Sequence, residues 1–332
     1  MDKPKVSIVI PCFNAGEFVR QSIQSILNQT YQNLELLICD DASTDNTREI
    51  IDNFSDSRIR RFYHTENKGY LVTCNELFNE ATGRFITFQD ADDISETHRI
   101  SKCMDTFTQN QEIDFVSSDY RLITKAGNPM ITHLQEVDFE RYKSDADYTI
   151  SFCGASLMIK QEVLKTIGGY HPFFGRLGGE DYEWLFRIVQ KFKGKHIAEP
   201  LYIYRMYNSQ AKLYNIQHVN YDSFIIHQAI EFLRKAFIQK KIYLLDNENS
   251  FWLDDKINSL EEPFHSDPSM FYRFSALRYL KFRDFNRSIA ITFQAIRKNP
   301  KAAINYVYPL YILYLIFRRK VPFQIMPKGL RK

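Results

Sequence analysis

The sequence predicts an α/β fold, a Rossmann-like parallel sheet followed by a helical carboxyl-terminal extension. Three observations carry this reading. Short apolar runs rich in β-branched residues recur through the first hundred positions, each ends in polar residues, and stretches of helical spacing separate them. Strands that alternate with helices in this way form parallel sheets through right-handed crossovers.

"KVSIVIPCFN" (5–14), "LELLICDD" (34–41) and "RFITFQDADD" (84–93) are the clearest strands, and "RIRRFYHT" (58–65) is a weaker one. Between them Val19, Ile23, Ile26 and Leu27 follow helical spacing, then Ile50, Ile51 and Phe54, then Leu71, Cys74 and Phe78. Six of the twelve glycines fall between Gly154 and Gly179 and none between 195 and 328, so a glycine-rich loop region precedes a helical half. "FYRFSALRYLKFRDFNRSIAITFQAIRKNP" (271–300) resembles a single tetratricopeptide helix pair. "INYVYPLYILYLIFRRK" (304–320) is strongly apolar, is interrupted by Pro309 and is shorter than the roughly 20 residues that span a bilayer. Six basic and no acidic residues fall in 318–332. This tail reads either as an interfacial anchor on an anionic membrane or as a docking helix with a solvated basic end. The expected organisation is a catalytic domain over 1–210, with halves 1–100 and 101–210, a helical extension over 211–300, and the tail over 301–332.

A chain of 332 residues, 44% hydrophobic and 25% charged, buries a substantial core. A net charge of +3 with no long basic run in the first 200 positions argues against nucleic acid. The five cysteines, Cys12, Cys39, Cys74, Cys103 and Cys153, form no CxxC pair and read as buried thiols in a reducing compartment. "MDKPK" leads straight into a strand without a signal-peptide h-region, so the catalytic part is expected in the cytosol.

Parallel topology gathers the carboxyl ends of the strands on one edge, where open α/β folds bind ligands. Asn14, Asp40, Asp41, Asp90 and Asp92 then share one crevice. Asp90 and Asp92 flank a single residue, so both can meet one hard cation, Mg²⁺ or Mn²⁺. Capping of a helix beginning near Ser95 would account for Asp93 but not for three carboxylates. No GxGxxG or GxxxxGK[ST] cradle follows any strand, so a bound diphosphate would need the metal to neutralise it. Asp45 reads as a helix cap. Asp41 suits either a uracil N3–H or ribose hydroxyls, or a structural turn. "GGEDYEWLFRI" (178–188) places Glu180 and Asp181 at a helix start beside a glycine-rich loop, as caps or as a general base. Trp184 is either core or a platform for a sugar ring.

Together, "VSIVIPCFNAGEFVRQSIQSILNQTYQNLELLICDDASTDNT", "NKGYLVTCNELFNEATGRFITFQDADD", "CGASLMIK" and "GGEDYEWLFRI" resemble a family 2 inverting glycosyltransferase with the GT-A fold, over roughly residues 5–207. The resemblance implies that Pro11, Phe13 and Asp41, with Asn14 and Asn67, hold the nucleoside of a nucleotide sugar, usually UDP. It implies that Asp90 and Asp92 are the DxD pair for donor and metal. Asp181 would be the base, and Glu180 and Trp184 would face the acceptor. Relatives carry a histidine in a YRxHxxS segment; here "YRMYNSQ" has Tyr207, a poor ligand for these metals, leaving His171 or His196 as substitutes or as ordinary packed histidines.

A sugar nucleotidylyltransferase should carry a glycine-rich basic loop where this chain has "PCFNAGEF", and a dehydrogenase its dinucleotide fingerprint. A non-catalytic scaffolding relative need not keep Asp90, Asp92 and Asp181 together. The expected acceptor is a glycan or a lipid-linked sugar at the inner face of a membrane.

Overall fold

The structure, a computed structural model, describes residues 3–151, 153–175, 177–206, 223–245, 250–281 and 285–317. These form two compact units, the first holding the residues up to 206 and 226–245, the second the residues from 250.

The first unit begins β1 (Val6–Cys12), α1 (Val19–Leu27), β2 (Leu34–Asp40), α2 (Thr47–Asp52), β3 (Ile59–Tyr63), α3 (Tyr70–Glu80) and β4 (Phe85–Phe88). This is the alternation that the apolar periodicity predicts. Every residue of β1, β2 and β4 is buried, as expected of parallel strands covered on both faces. β1 pairs in parallel with β2 and β4, and β2 with β3. Cys12 therefore lies level with Asp40, and Val9 with Phe88, so the three polar strand ends emerge on one edge.

The chain continues through β5 (Ile94–Ser95), α4 (Arg99–Gln109), β6 (Phe115–Thr124), β7 (Pro129–His133), α5 (Phe139–Ser144), β8 (Met158–Lys160), α6 (Gln161–Ile167), α7 (Glu180–Lys191) and β9 (Gly194–Met206). The sheet order is β3-β2-β1-β4-β8-β6-β9-β5, with β7 on β6. β8 runs antiparallel between β4 and β6, so the second half of the sheet is mixed. The helix expected near Ser95 begins only at Arg99, because Ile94 and Ser95 pair with Ile203 and Tyr202 of β9. Asp93 is consequently no cap. It is fully buried and accepts from the Arg205 amide at 2.7 Å.

Arg99 sits at the first position of α4 with no solvent exposure. Its Nη1 donates to the Phe88 carbonyl (3.0 Å) and Ser95 Oγ (2.8 Å), and its Nη2 to Thr87 Oγ1 (2.7 Å) and the Ala155 carbonyl (2.6 Å). The guanidinium also lies 5.0 Å from the centre of the Tyr202 ring. One cation thus joins β4, the acidic loop after it, β9 and the turn around Ala155.

α8 (Ser223–Lys240) falls within the extension by sequence, yet from Ile226 onward it belongs to the first unit. The reason is Arg234, fully buried, which donates to the carbonyls of Tyr142, Asp145, Ala146 and Tyr148 at 2.8–3.0 Å. In the second unit α9 (Ser250–Ser266) precedes α10 (Ser269–Lys281), α11 (Phe285–Lys298) and α12 (Ile304–Phe317). The helix pair expected at 271–300 is α10 and α11, and α12 packs against it through Ile312 and Leu315, which meet Ala276 and Leu280. All five cysteines are buried free thiols.

Replacing Arg99 by Met leaves at least four buried acceptors without their donor. The expected cost is about 4 kcal/mol, or roughly a 10 °C fall in Tm, measurable by thermal unfolding of the full chain.

Candidate active site

At the carboxyl ends of β1 and β2 two loops are stitched together. Asn14, held at a left-handed φ of 50°, donates its amide to Ser43 Oγ (2.9 Å), and its Oδ1 accepts from the Thr44 amide (2.8 Å). Asp45 accepts from the amides of Gly16 and Thr47, consistent with its expected capping role. Asn14 therefore shapes the crevice with its carbonyl turned onto the loop. Pro11 is buried in β1, whereas Phe13 is 43% exposed at the rim.

Asp41 is bonded to the loop that follows β3. Its carboxylate accepts from the Lys68 amide (2.9 Å) and the Gly69 amide (2.8 Å) and pairs with His64 Nδ1 at 2.7 Å. These bonds outweigh burial and hold its pKa below the usual carboxylate range. Asn67 donates to the Asp41 carbonyl at 3.2 Å. Asp41 and Asn67 thus order the 64–69 loop, and Asp40, at the very end of β2, is equally buried and accepts from the Ser43 amide at 3.2 Å.

Past β4, Asp90 and Asp92 are half-buried. Tyr70, at the start of α3, donates its hydroxyl to Asp90 Oδ1 at 3.0 Å, and the Asp90 amide donates to the Tyr202 hydroxyl at 3.0 Å. Arg205 clamps the loop from β9: its Nε donates to the Asp92 carbonyl (2.9 Å) and its Nη2 to Gln21 Oε1 (2.7 Å). Burial first, then the charge of Asp92, pushes Asp90 up to about 7. Burial and both neighbours raise Asp93 as well.

Glu180 and Asp181 open α7, whose preceding Gly179 has φ 85°. Both carboxyls are raised by burial before any other cause, and the pair titrates near about 6 and about 8. Asp181 is the lower because the amides of Tyr182 and Gly154 donate to it, whereas Glu180 feels the charges of Asp181 and Asp90. Both carboxyls therefore hold their protons to higher pH than an exposed carboxyl does, Glu180 further than Asp181. Opposed environments of this kind mark an acid and a base. The Asp181 charge also contributes to the upward shift of Asp90.

Trp184 does not face this cluster. It is 1% exposed, donates Nε1 to the Gly168 carbonyl at 2.8 Å, and packs with Phe78, Phe88 and Tyr170 at centroid distances of 5.2–5.7 Å. The expected sugar platform is core, because its place about one turn into α7 puts it on the buried face with Leu185 and Ile188.

The model of "Glycosyl transferase family 2" matches residues 7–168, which span both acidic strand ends. An uncharacterized glycosyltransferase of Methanocaldococcus jannaschii, MJ1057, is 30% identical over 227 residues, 65% of this chain and 76% of that protein. The chain belongs to glycosyl transferase family 2. WfgD of Escherichia coli, a UDP-Glc:alpha-D-GlcNAc-diphosphoundecaprenol beta-1,3-glucosyltransferase, is 42% identical over 123 residues, 37% of this chain and 48% of that one. The transferase therefore spans about half of WfgD. Among solved structures, residues 1–349 of S. aureus TarS in complex with UDP-GlcNAc share the fold at a TM-score of 0.55 and 16% identity, covering 98% of this chain and 95% of that one. Mannosyltransferase PcManGT of Pyrobaculum calidifontis, in complex with GDP-Man and Mn²⁺, does so at 0.51 and 18%, covering 96% and 83%.

Within the transferase, Asp90 and Asp92 offer the donor set a hard cation takes: two half-buried carboxyls close in sequence, Asp90 raised first by burial and then by the charge of Asp92. Among the described residues no three His, Cys, Asp or Glu side chains are grouped to hold a metal. A cation there would complete its shell from phosphate and water. Tyr207 lies outside the described residues. His196 is no substitute ligand, being paired with Asp119 (3.0 Å) and Ser117 Oγ (2.8 Å) on β6 and β9. His171 caps the turn at Pro172–Phe174 by accepting from the Phe173 amide at 3.2 Å.

Sequence reasoning missed Tyr70, Arg99, Gly154, Tyr202 and Arg205, each of which acts through a partner distant in the chain. Gly154 is instructive: a Cβ there would lie 2.6 Å from Asp181 Oδ2. Gly154→Ala should displace the Asp181 carboxyl and lower transfer at least tenfold with nucleotide affinity unchanged, as separate turnover and binding assays would show. The raised carboxyls also set a pH dependence. Unfolded carboxyls titrate near about 4, so the folded state retains protons that the unfolded chain has lost, and stability from this cluster falls as pH rises from about 4 through about 8. In chelator, Asp181→Asn should unfold at a higher temperature than the parent at pH 8 and at nearly the same temperature at pH 5.

Proposed function

We propose that the transferase moves a sugar from a UDP-sugar to a hydroxyl of a glycan or lipid-linked acceptor with inversion. The carrying observation is the buried Asp181 carboxyl at the start of α7, bonded by the Tyr182 amide at 2.8 Å, packed against Gly154, next to Glu180 and near enough to Asp90 for its charge to raise that group. Asp181 takes the acceptor proton as its oxygen attacks the anomeric carbon from the face opposite the diphosphate, so one displacement inverts that carbon. Glu180, as a neutral acid, donates a hydrogen bond to the acceptor and adds no charge beside the base. Phe13 offers the exposed ring against which the nucleoside is held, and Asp41, fixed by the 64–69 loop, lies among the loops that hold it.

A divalent cation on Asp90 and Asp92 would neutralise the departing nucleoside diphosphate. Tyr70 fixes one Asp90 oxygen and Arg205 fixes the loop backbone, so both carboxylates are presented from a set frame. The fold shared with TarS, in complex with UDP-GlcNAc, and the local identity to WfgD, a UDP-Glc enzyme, support the choice of UDP. The PcManGT complex with Mn²⁺ supports a divalent cation. WfgD's lipid-diphosphate acceptor supports the acceptor class.

Asp181→Asn is expected to bind UDP with unchanged affinity and to lose transfer by about 10²- to 10⁴-fold, the usual worth of a general base. Asp92→Ala is expected to lose the Mn²⁺-dependent part of UDP binding. Equal loss of binding and turnover in both variants would reject these roles, as calorimetric titration alongside a UDP-release assay can decide.

A further inference from the structure

α12 has its polarity inverted. The one polar side chain in "INYVYPLYILYLIF" other than the tyrosines is Asn305, and it is fully buried, donating to the carbonyls of Ala295 (3.1 Å) and Asn299 (2.8 Å). Ile312 and Leu315 fill the core of the second unit on the same side. The opposite side carries Ile304, Tyr306, Val307, Leu310, Tyr311 and Tyr314, all exposed, with Val307 at 60% and Leu310 at 66%. At 100° per residue these six occupy one continuous arc of about 160°. A helix that packs one face on a core normally shows water a charged face. This one shows water none.

Charge is segregated to match. Ten of the chain's 43 basic residues and none of its 40 acidic residues lie in 285–332, so this segment carries +10 and the preceding 284 residues carry −7. Arg297, Lys298 and Lys301, all exposed, precede α12, and Arg318, Arg319 and Lys320 follow it in sequence. An apolar arc edged with tyrosines and flanked by basic residues is the chemistry of a helix lying in the interface of an anionic bilayer. Fourteen residues reach about 21 Å, short of the roughly 30 Å hydrocarbon core, and no helix among the described residues is long and apolar enough to cross a membrane.

We propose that the outer arc of α12 is a membrane-docking surface for a bilayer carrying anionic lipid, on which the helix lies in the plane. The sequence left two readings of this helix, core docking and interfacial anchoring; the two faces serve one each. The inference is independent of the transferase reading, since it is tested without any sugar transfer.

The test is flotation of the full chain with vesicles of phosphatidylcholine alone and of phosphatidylcholine with about 30% phosphatidylglycerol. The chain should float with the anionic vesicles, weakly or not at all with the neutral ones, and less at high salt. Val307→Glu with Leu310→Glu, at positions that touch no core, should abolish flotation while leaving Tm unchanged. Arg318→Gln with Arg319→Gln and Lys320→Gln should lower vesicle affinity about a hundredfold. Failure of the parent to float, or flotation of the double Glu variant like the parent, would overturn the proposal. So would a stable dimer, seen by light scattering, that the double Glu variant dissolves and anionic vesicles do not, because a second copy would then own the arc.

Discussion

A single buried cation organises the site. Arg99 has no solvent and no carboxylate bonded to it; its donors go to the last turn of β4, to Ser95 and to Ala155, and its face lies on Tyr202. Burial pulls its pKa down, yet a guanidinium stays charged in any protein environment. Its field moderates the repulsion on Asp90 above it. Through Ala155 it also anchors the turn whose neighbour, Gly154, donates to Asp181. Arg99 therefore bonds elements beside both acidic halves of the site, 90 positions apart in sequence, while Arg205 holds the first half from β9.

Around that cation the fold concentrates negative charge that it does not neutralise. Asp90, Asp93, Glu180 and Asp181 are all raised, each first by burial. Elsewhere the chain treats buried carboxylates differently: Glu35, bonded by Ser7, Lys5 and Thr82, is lowered to about 2. The contrast separates a carboxylate saturated with donors from carboxylates that are buried with few. Strain of this kind at a site, offset by a well-bonded frame, is what a charged ligand can relieve.

The strands and the first three helices were legible because each is short, continuous and strongly periodic, and the parallel order alone brought Asp90 and Asp92 to the crevice edge. Trp184 was not legible, since an aromatic at helical spacing reads alike for core and for platform until its neighbours Phe78, Phe88 and Tyr170 are placed. The internal partners of Asp41 were not legible either, because the 64–69 loop that bonds its carboxylate is distant in sequence. Arg99 lies in "ETHRISKC", where a basic residue near a helix start, with Lys102 three positions on, reads as part of a solvated face. Asp93 was misassigned because a two-residue strand leaves no periodic signal.

The central claim is that the acidic edge forms one nucleotide-and-cation site. Thermal unfolding of the full chain with UDP, GDP, dTDP and CMP, each with and without Mn²⁺, tests it most directly. A ligand at 100 times its Kd stabilises by about 2.7 kcal/mol, worth several degrees in a domain of this size. The account predicts a shift with UDP and Mn²⁺ together that neither gives alone. No shift with any nucleotide, or an equal UDP shift in chelator, would contradict it.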